Sequence, residues 1–348
     1  MKLKDSPILI QMARDLGLKR YSDAERAIRN YCVKKVQGII ESFGEIKNLN
    51  QLLNVVSSSL RMKFEEVHDD SEIAEISERY IAKGELFFTN LHRELDDKTD
   101  GMLVRLNNAK PWEPMFVAVI DCRGYKAWRA YFSKWHEVGH VLTLKPSQMT
   151  FQFRRIPVRK KVPGEQIVDR IAGDLAFYRP LFLPCLKEAV GETKRITFDV
   201  VEKLRSTVCI GASREATLRG AVKQALLPQL LIIAGLGLKK SEEQILNNPQ
   251  MGLFKEKSHK FEPKLRALEI IGNEKAFDIG LRIHKNMQVP SNSVISKAYE
   301  GIDKTGGIIS GNENLSWWKH SKGQLRNMPI WVEARASGDK VLAIISRS

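Results

Sequence analysis

The stretch Trp135-His136-Glu137-Val138-Gly139-His140-Val141-Leu142 decides how the rest of this chain is read. It contains the string HExxH, from His136 to His140. On a helix, positions i and i+4 stand one above the other, so both imidazoles can reach a single metal ion. Glu137 lies beside them, placed to take a proton from a water that the metal activates. Two surface histidines on an amphipathic helix would give the same string without any chemistry. The flanking residues argue against that. Trp128, Tyr131, Trp135, Val138 and Leu142 recur at helical period and predict one apolar, core-facing stripe. His136, Glu137 and His140 fall roughly 100° or more around the helix from that stripe, which predicts a site facing a cleft.

Two histidines do not make a catalytic zinc site; three protein ligands and a water do. Cys32, Cys122, Cys185 and Cys209 are far apart and show no CxxC spacing, so a carboxylate is the remaining candidate. After a loop opened by Pro146 and closed by Pro163-Gly164, a second helical pattern begins at Glu165, with Val168, Ile171, Leu175 and Tyr178 as its apolar stripe. Glu165 and Asp169, at i and i+4, share another face above Ala172 and Ala176, whose small side chains let two helices approach closely. The expectation is one zinc ion per chain, held by His136, His140 and Glu165. Asp169 stands behind, where a carboxylate fixes a ligand histidine's tautomer and raises its basicity. Glu165 also sits where a negative charge complements a helix N-terminus, and the two roles are compatible.

At these residues the chain resembles the gluzincin zinc peptidases, through HEVGH followed by a helix bearing Glu165 and Asp169. Within that class it is most similar to the ImmA/IrrE family of metallo-endopeptidases. The segment from Ile196 to Gly235 is similar to the helical, HTH-like region that follows the peptidase core in IrrE-type members. The stretches PKLRALEII (263–271), VPSNSVISKAYEG (289–301), SWWKHSKGQL (316–325) and PIWVEARASGDKVLAIIS (329–346) look like their C-terminal region. The likeness covers about residues 45 to 348. It implies an α+β fold: a zincin-like metallopeptidase domain at 45–190, an HTH-like helical region at 191–250, and a C-terminal α/β, GAF-like sensor domain at 255–348. Residues 1–44 are expected to add an N-terminal helical extension, in which Ser22-Asp23-Ala24-Glu25 reads as a capping box.

Within the 45–190 region, Met102–Leu106 and Met115–Cys122 read as strands joined by a Pro-rich turn. By resemblance, a sheet edge near the metal receives an extended substrate as a further strand. Ser213 reads as an N-cap for a helix carrying Arg214, Arg219 and Lys223. That helix is either a DNA recognition helix or, more in keeping with its pattern, a packed helix with solvated cations. Residues 191–250 as a whole read as helical, and a C-terminal hairpin turns around Ser337-Gly338-Asp339. Trp317 and Trp318 read as core. Tyr178, Tyr131 and His92 are the candidates for an oxyanion donor.

The 348 residues suffice for two or three domains, and 43% hydrophobic content is ordinary for a globular protein. Four scattered cysteines, no signal-like start and no apolar run of 18 residues predict a cytoplasmic protein without membrane contact. A net charge of +15 favours acidic partners or weak contact with nucleic acid without naming either. Between His140 and Glu165 stand six cations and no acid: Lys145, Arg154, Arg155, Arg159, Lys160 and Lys161. This segment is either a solvated hairpin or a positive rim, led by Arg154, Arg155, Arg159, Lys160 and Lys161, that draws a partner to the site.

The resemblance implies a zinc-dependent, site-specific endopeptidase of regulatory type. Its implied substrate is a protein, an HTH-type transcriptional repressor, whose cleavage derepresses stress or mobile-element genes. The competing expectation is a non-proteolytic DNA- or repressor-binding regulator, or an antitoxin-like module, with a structural or idle zinc site. Glu137 speaks against it, because a structural site needs no general base. The sequence assigns no oligomeric state.

Overall fold

The computed structural model describes residues 6–144, 152–155, 162–247, 261–301, 307–320 and 323–348. It is a mixed α+β structure that divides into two compact units. One comprises Met1–Cys185 with Arg205–Ala216, the other Leu186–Leu204 with Thr217–Ser348.

The first unit opens with α1 (Pro7–Asp15), α2 (Ala24–Phe43) and α3 (Leu49–Ser59). Asp23 caps α2 by accepting from the Arg26 N–H, one residue after the Ser22 at which the expected Ser22–Glu25 capping box would start the helix. The stripe Ala24, Ile28, Cys32 and Val36 is buried. The N-terminal helices α1 and α2 belong to the first unit. They pack against α7 (Pro163–Ala176), and α2 also against α6 (Ala130–Thr143). Arg29 grips Asp174 of α7 through two parallel hydrogen bonds of 2.7 and 2.8 Å, the fork geometry that suits guanidinium and carboxylate.

The sheet of this unit runs β1-β3-β2-β4, built from β1 (Met62–Val67), β2 (Gly101–Arg105), β3 (Phe116–Asp121) and β4 (Gln152–Arg155). β1 and β3 are parallel; β2 is antiparallel to both β3 and β4. The predicted β2–β3 hairpin is present. β3, FVAVID, is buried along its whole length, which is why it reads as a continuous apolar run. One face is covered by α4 (Asp70–Ile81) and α5 (Leu91–Glu94), whose Ile73, Ile76, Tyr80 and Leu91 join Val67, Val104, Val117 and Val119 in one core. The other face carries α6. Its start is fixed by Lys126, a buried lysine in the 3-10 segment Gly124–Arg129. The Lys126 ammonium donates to Asp121 Oδ2, Asp96 O and Thr99 O at 2.7, 2.7 and 3.0 Å, so all three of its protons are satisfied.

The second unit holds a five-stranded antiparallel sheet of order β6-β5-β11-β10-β7. Its strands are β5 (Gln229–Gly237), β6 (Lys264–Gly272), β7 (Ile308–Asn314), β10 (Pro329–Ser337) and β11 (Lys340–Arg347); β8 (Lys319–His320) and β9 (Gly323–Gln324) form a separate ribbon. The expectation that 191–250 is helical holds for α9 (Phe198–Thr207) and α10 (Arg214–Lys223), the latter capped by Ser213. It fails at β5. QLLIIAGLG pairs with both β6 and β11 and belongs with the C-terminal sheet, so that domain begins before residue 255. A fully buried strand shows no period-two alternation, and its apolar run is not distinguishable from a buried helix by pattern alone. The expected α/β arrangement is also corrected: every pairing in this sheet is antiparallel. The hairpin at 337–340 is as expected, with Gly338 at φ +60. Trp318 is buried in the core beside Ile330 and Ile345; Trp317 is partly exposed.

Candidate metal centre

α6 and α7 run antiparallel. Tyr131, near the start of α6, donates its hydroxyl to Ala176 O at the end of α7 (2.6 Å); His136 meets Asp169, and His140 meets Glu165 near the start of α7. The close approach depends on Gly139. A Cβ at that position would lie 3.0 Å from Val168 Cγ1 and 3.4 Å from Val168 O. The glycine inside HEVGH therefore serves packing, a role that sequence reasoning gave only to Ala172 and Ala176, both of which are fully buried. Thr143 closes the helix end by donating to Gly139 O and His140 O.

All three predicted ligands converge. His140 Nε2 lies 3.1 Å from His136 Nε2, His136 Nε2 lies 3.2 Å from Glu165 Oε2, and His140 Nε2 lies 3.5 Å from Glu165 Oε1. For a tetrahedral zinc with bonds of about 2.0–2.1 Å, neighbouring ligand atoms stand about 3.3 Å apart. The three observed edges bracket that distance, so these residues fit zinc. His136 Nδ1 is 3.0 Å from Asp169 Oδ1. The carboxylate accepts that N–H, which leaves the Nε2 lone pair turned towards the shared point. Burial pushes the Glu165 carboxyl up, but hydrogen bonds from His136 and His140 outweigh it and hold the group well below the ordinary carboxylate range. It stays ionised, as a metal ligand must.

His136, Glu137 and His140 are 1%, 0% and 5% exposed. The expected cleft-facing side of α6 is thus deeply enclosed, because the sheet covers one flank of the helix and α7 the other. The Glu137 carboxylate points towards the start of β2, where a Cβ on Gly101 would come within 3.7 Å of its Oε1. Glycine at 101 leaves that space open. Its spacing from the motif offers no sequence signal, since the two meet only through the sheet. The predicted stripe holds for Tyr131, Trp135, Val138 and Leu142, all buried, and fails for Trp128, which is 65% exposed. Trp128 lies in the 3-10 segment, whose three-residue turn breaks the helical phase.

The other expectations divide. Tyr131 is committed to the Ala176 carbonyl, and burial raises its pKa. Tyr178 is buried and its pKa also raised, by burial and then by Glu41. His92 is exposed on α5 and does not join the cluster within 4.8 Å. Arg154 and Arg155 lie on β4, the outer strand beside β2 among the described residues; Arg159, Lys160 and Lys161 lie outside them. Arg219 is paired with Glu269 through both guanidinium nitrogens, which favours the packed-helix reading of α10. Among the described residues no helix is long and apolar enough to cross a membrane.

No protein-family model matches this chain, and no curated protein does. A Mycobacterium tuberculosis transcriptional regulator of known structure is similar to it at TM-score 0.44 and 8% identity, over 100% of this chain and 82% of that one. A likeness that distant does not bear on the chemistry, for which the geometry of the cluster is the better guide.

Proposed function

We propose that this chain is a zinc-dependent endopeptidase of regulatory type. The observation that carries the reading is the convergence of His136, His140 and Glu165 on one point at tetrahedral spacing, with Glu137 between the two histidines. A zinc ion held there supplies Lewis-acid polarisation of a scissile carbonyl and lowers the pKa of water towards neutrality. Glu137 accepts the proton of the attacking water on its carboxylate and delivers it to the departing amide nitrogen. Asp169 holds His136 in the tautomer that ligation needs. β4, the outer strand beside β2 among the described residues, is the proposed edge to which an extended peptide adds.

A helix-turn-helix repressor is the proposed substrate, following the resemblance at HEVGH and Glu165. The test is a cleavage assay on the products of neighbouring genes, any helix-turn-helix repressor first, with zinc-loaded wild type and Glu137→Gln. Wild type should cut at one position, and chelation should stop it. Glu137→Gln should keep zinc and repressor binding but lose at least about 10²-fold in rate. Cutting by Glu137→Gln at the wild-type rate would refute the mechanism. Tight repressor binding with no cutting by wild type would instead favour a non-proteolytic regulator.

A further inference from the structure

A second set of ligand-type side chains lies on the α6 side of the sheet, apart from the histidine pair. In the parallel β1–β3 ladder Val67 is paired with Asp121, and the Cys122 N–H donates to Val67 O at 2.7 Å. One step further on, His68 and Cys122 are neighbours across the strands. Glu66, two residues before His68, points to the same face, because side chains alternate along a strand. A carboxylate oxygen, an imidazole nitrogen and the thiol sulfur therefore gather with all ligating atoms within 4.8 Å of one another. The two oxygens of Glu66 are differentiated. Oε1 accepts from Lys134 Nζ at 2.8 Å, while Oε2 lies 3.7 Å from Cys122 Sγ.

We infer that Glu66, His68 and Cys122 form a second metal site, for a borderline-soft divalent cation of the zinc class. The donor set is what such a cation selects: one cysteine sulfur, whose proton is released to solvent on binding, one imidazole and one carboxylate, a mixture that hard magnesium or calcium does not favour. For bonds of about 2.3 Å to sulfur and about 2.1 Å to oxygen, the tetrahedral sulfur–oxygen edge is about 3.6 Å, close to the 3.7 Å present. His68 is exposed, so its ring turns to complete the set without disturbing the core. Lys134 stays on Oε1 as an outer partner that orients the carboxylate. A cavity of about 390 Å³ opens beside the three residues, bounded also by Asn54, Tyr131 and Lys134. It leaves room for a fourth ligand from solvent or from a bound molecule.

The two sites are separable by sulfur, since the His136 centre contains none. The full-length chain, stripped of metal, is titrated with Co²⁺ and followed by absorption. Two equivalents should bind, one of them with a sulfur-to-cobalt charge-transfer band in the near ultraviolet. Cys122→Ser should abolish the band and leave one equivalent. His68→Ala, an exposed change that spares folding, should weaken the band-forming equivalent at least about tenfold and leave the other unaltered. Conversely, His136→Ala with His140→Ala should remove the sulfur-free equivalent and keep the band, whatever becomes of the protease reading. Absence of any sulfur band, its survival in Cys122→Ser, or unchanged affinity in His68→Ala would each overturn the inference.

Discussion

Asp169 acts through His136 and not as a ligand of its own. Its carboxylate accepts the Nδ1 proton, so its charge increases the electron-donating power of Nε2 on the opposite side of the ring. Asp169→Asn keeps the shape and one acceptor but removes that charge. Zinc affinity should fall about 10–100-fold, measured by competition with a chromophoric chelator, while the protein stays folded. His136→Ala, His140→Ala and Glu165→Ala should each abolish binding of the sulfur-free equivalent. Full zinc retention in Glu165→Ala would remove Glu165 from the ligand set. These residues were readable in the sequence because a helix turns i and i+4 into a spatial pair by backbone geometry alone. Glu66, His68 and Cys122 were not, because nothing in the order of residues shows that β1 and β3 lie side by side. Only Glu66-x-His68, with its strand-like alternation, hinted at a shared face.

Between elements, the critical contact is Gly139 of α6 against Val168 of α7. Gly139→Ala gains about 1 kcal/mol in helix propensity but pushes a methyl to 3.0 Å from Val168 Cγ1, and overpacking costs about 1–3 kcal/mol. The net loss should be at most about 2 kcal/mol in urea unfolding, with zinc affinity lowered because the helices part. Adding Val168→Ala should recover part of that affinity, a coupling that additive behaviour would exclude. In the other unit, Glu313 of β7 accepts from Ser293 Oγ and from the Val294 N–H at the start of the helix Val294–Glu300. Burial pushes its carboxyl above the ordinary value, against the opposing effect of those hydrogen bonds. The folded state thus keeps a proton that the unfolded chain has already lost. The resulting stability is full below the ordinary carboxylate pKa and declines as pH rises through the folded value. Glu333, raised by burial as well, behaves alike. Glu313→Gln should flatten this decline in melting temperature against pH, and an unchanged slope would rule Glu313 out as its source. Helices with polar caps and the β2–β3 hairpin were legible because turn and cap residues announce them. β5 was not, since burial on both faces erases the alternation by which a strand is recognised.

For the molecule as a whole, the chain passes between the two units within α8 (Arg179–Val190), α9 and α10. The domain limit expected at residue 190 is therefore not a place to cut. A 1–190 fragment lacks Cys209 and Ala212, both buried and both in the first unit, and should melt below the intact chain. Zinc supplies a sharper test in the full-length protein. A ligand that binds only the folded state at about 100 times its Kd contributes about 2.7 kcal/mol. For a unit of roughly 150–250 residues that corresponds to about 5–11 °C in Tm. The His136 centre lies in the first unit, and among the described residues no such cluster lies in the second. Hydrogen exchange read peptide by peptide should then show zinc-dependent protection in α6, α7 and the β1–β4 sheet, with the β5–β11 sheet little changed. Equal gains in both sheets would mean that the helices shared along the chain couple the units into one cooperative fold. No gain in either would mean that the cluster does not bind zinc in the folded state, and the proposed chemistry would fall with it.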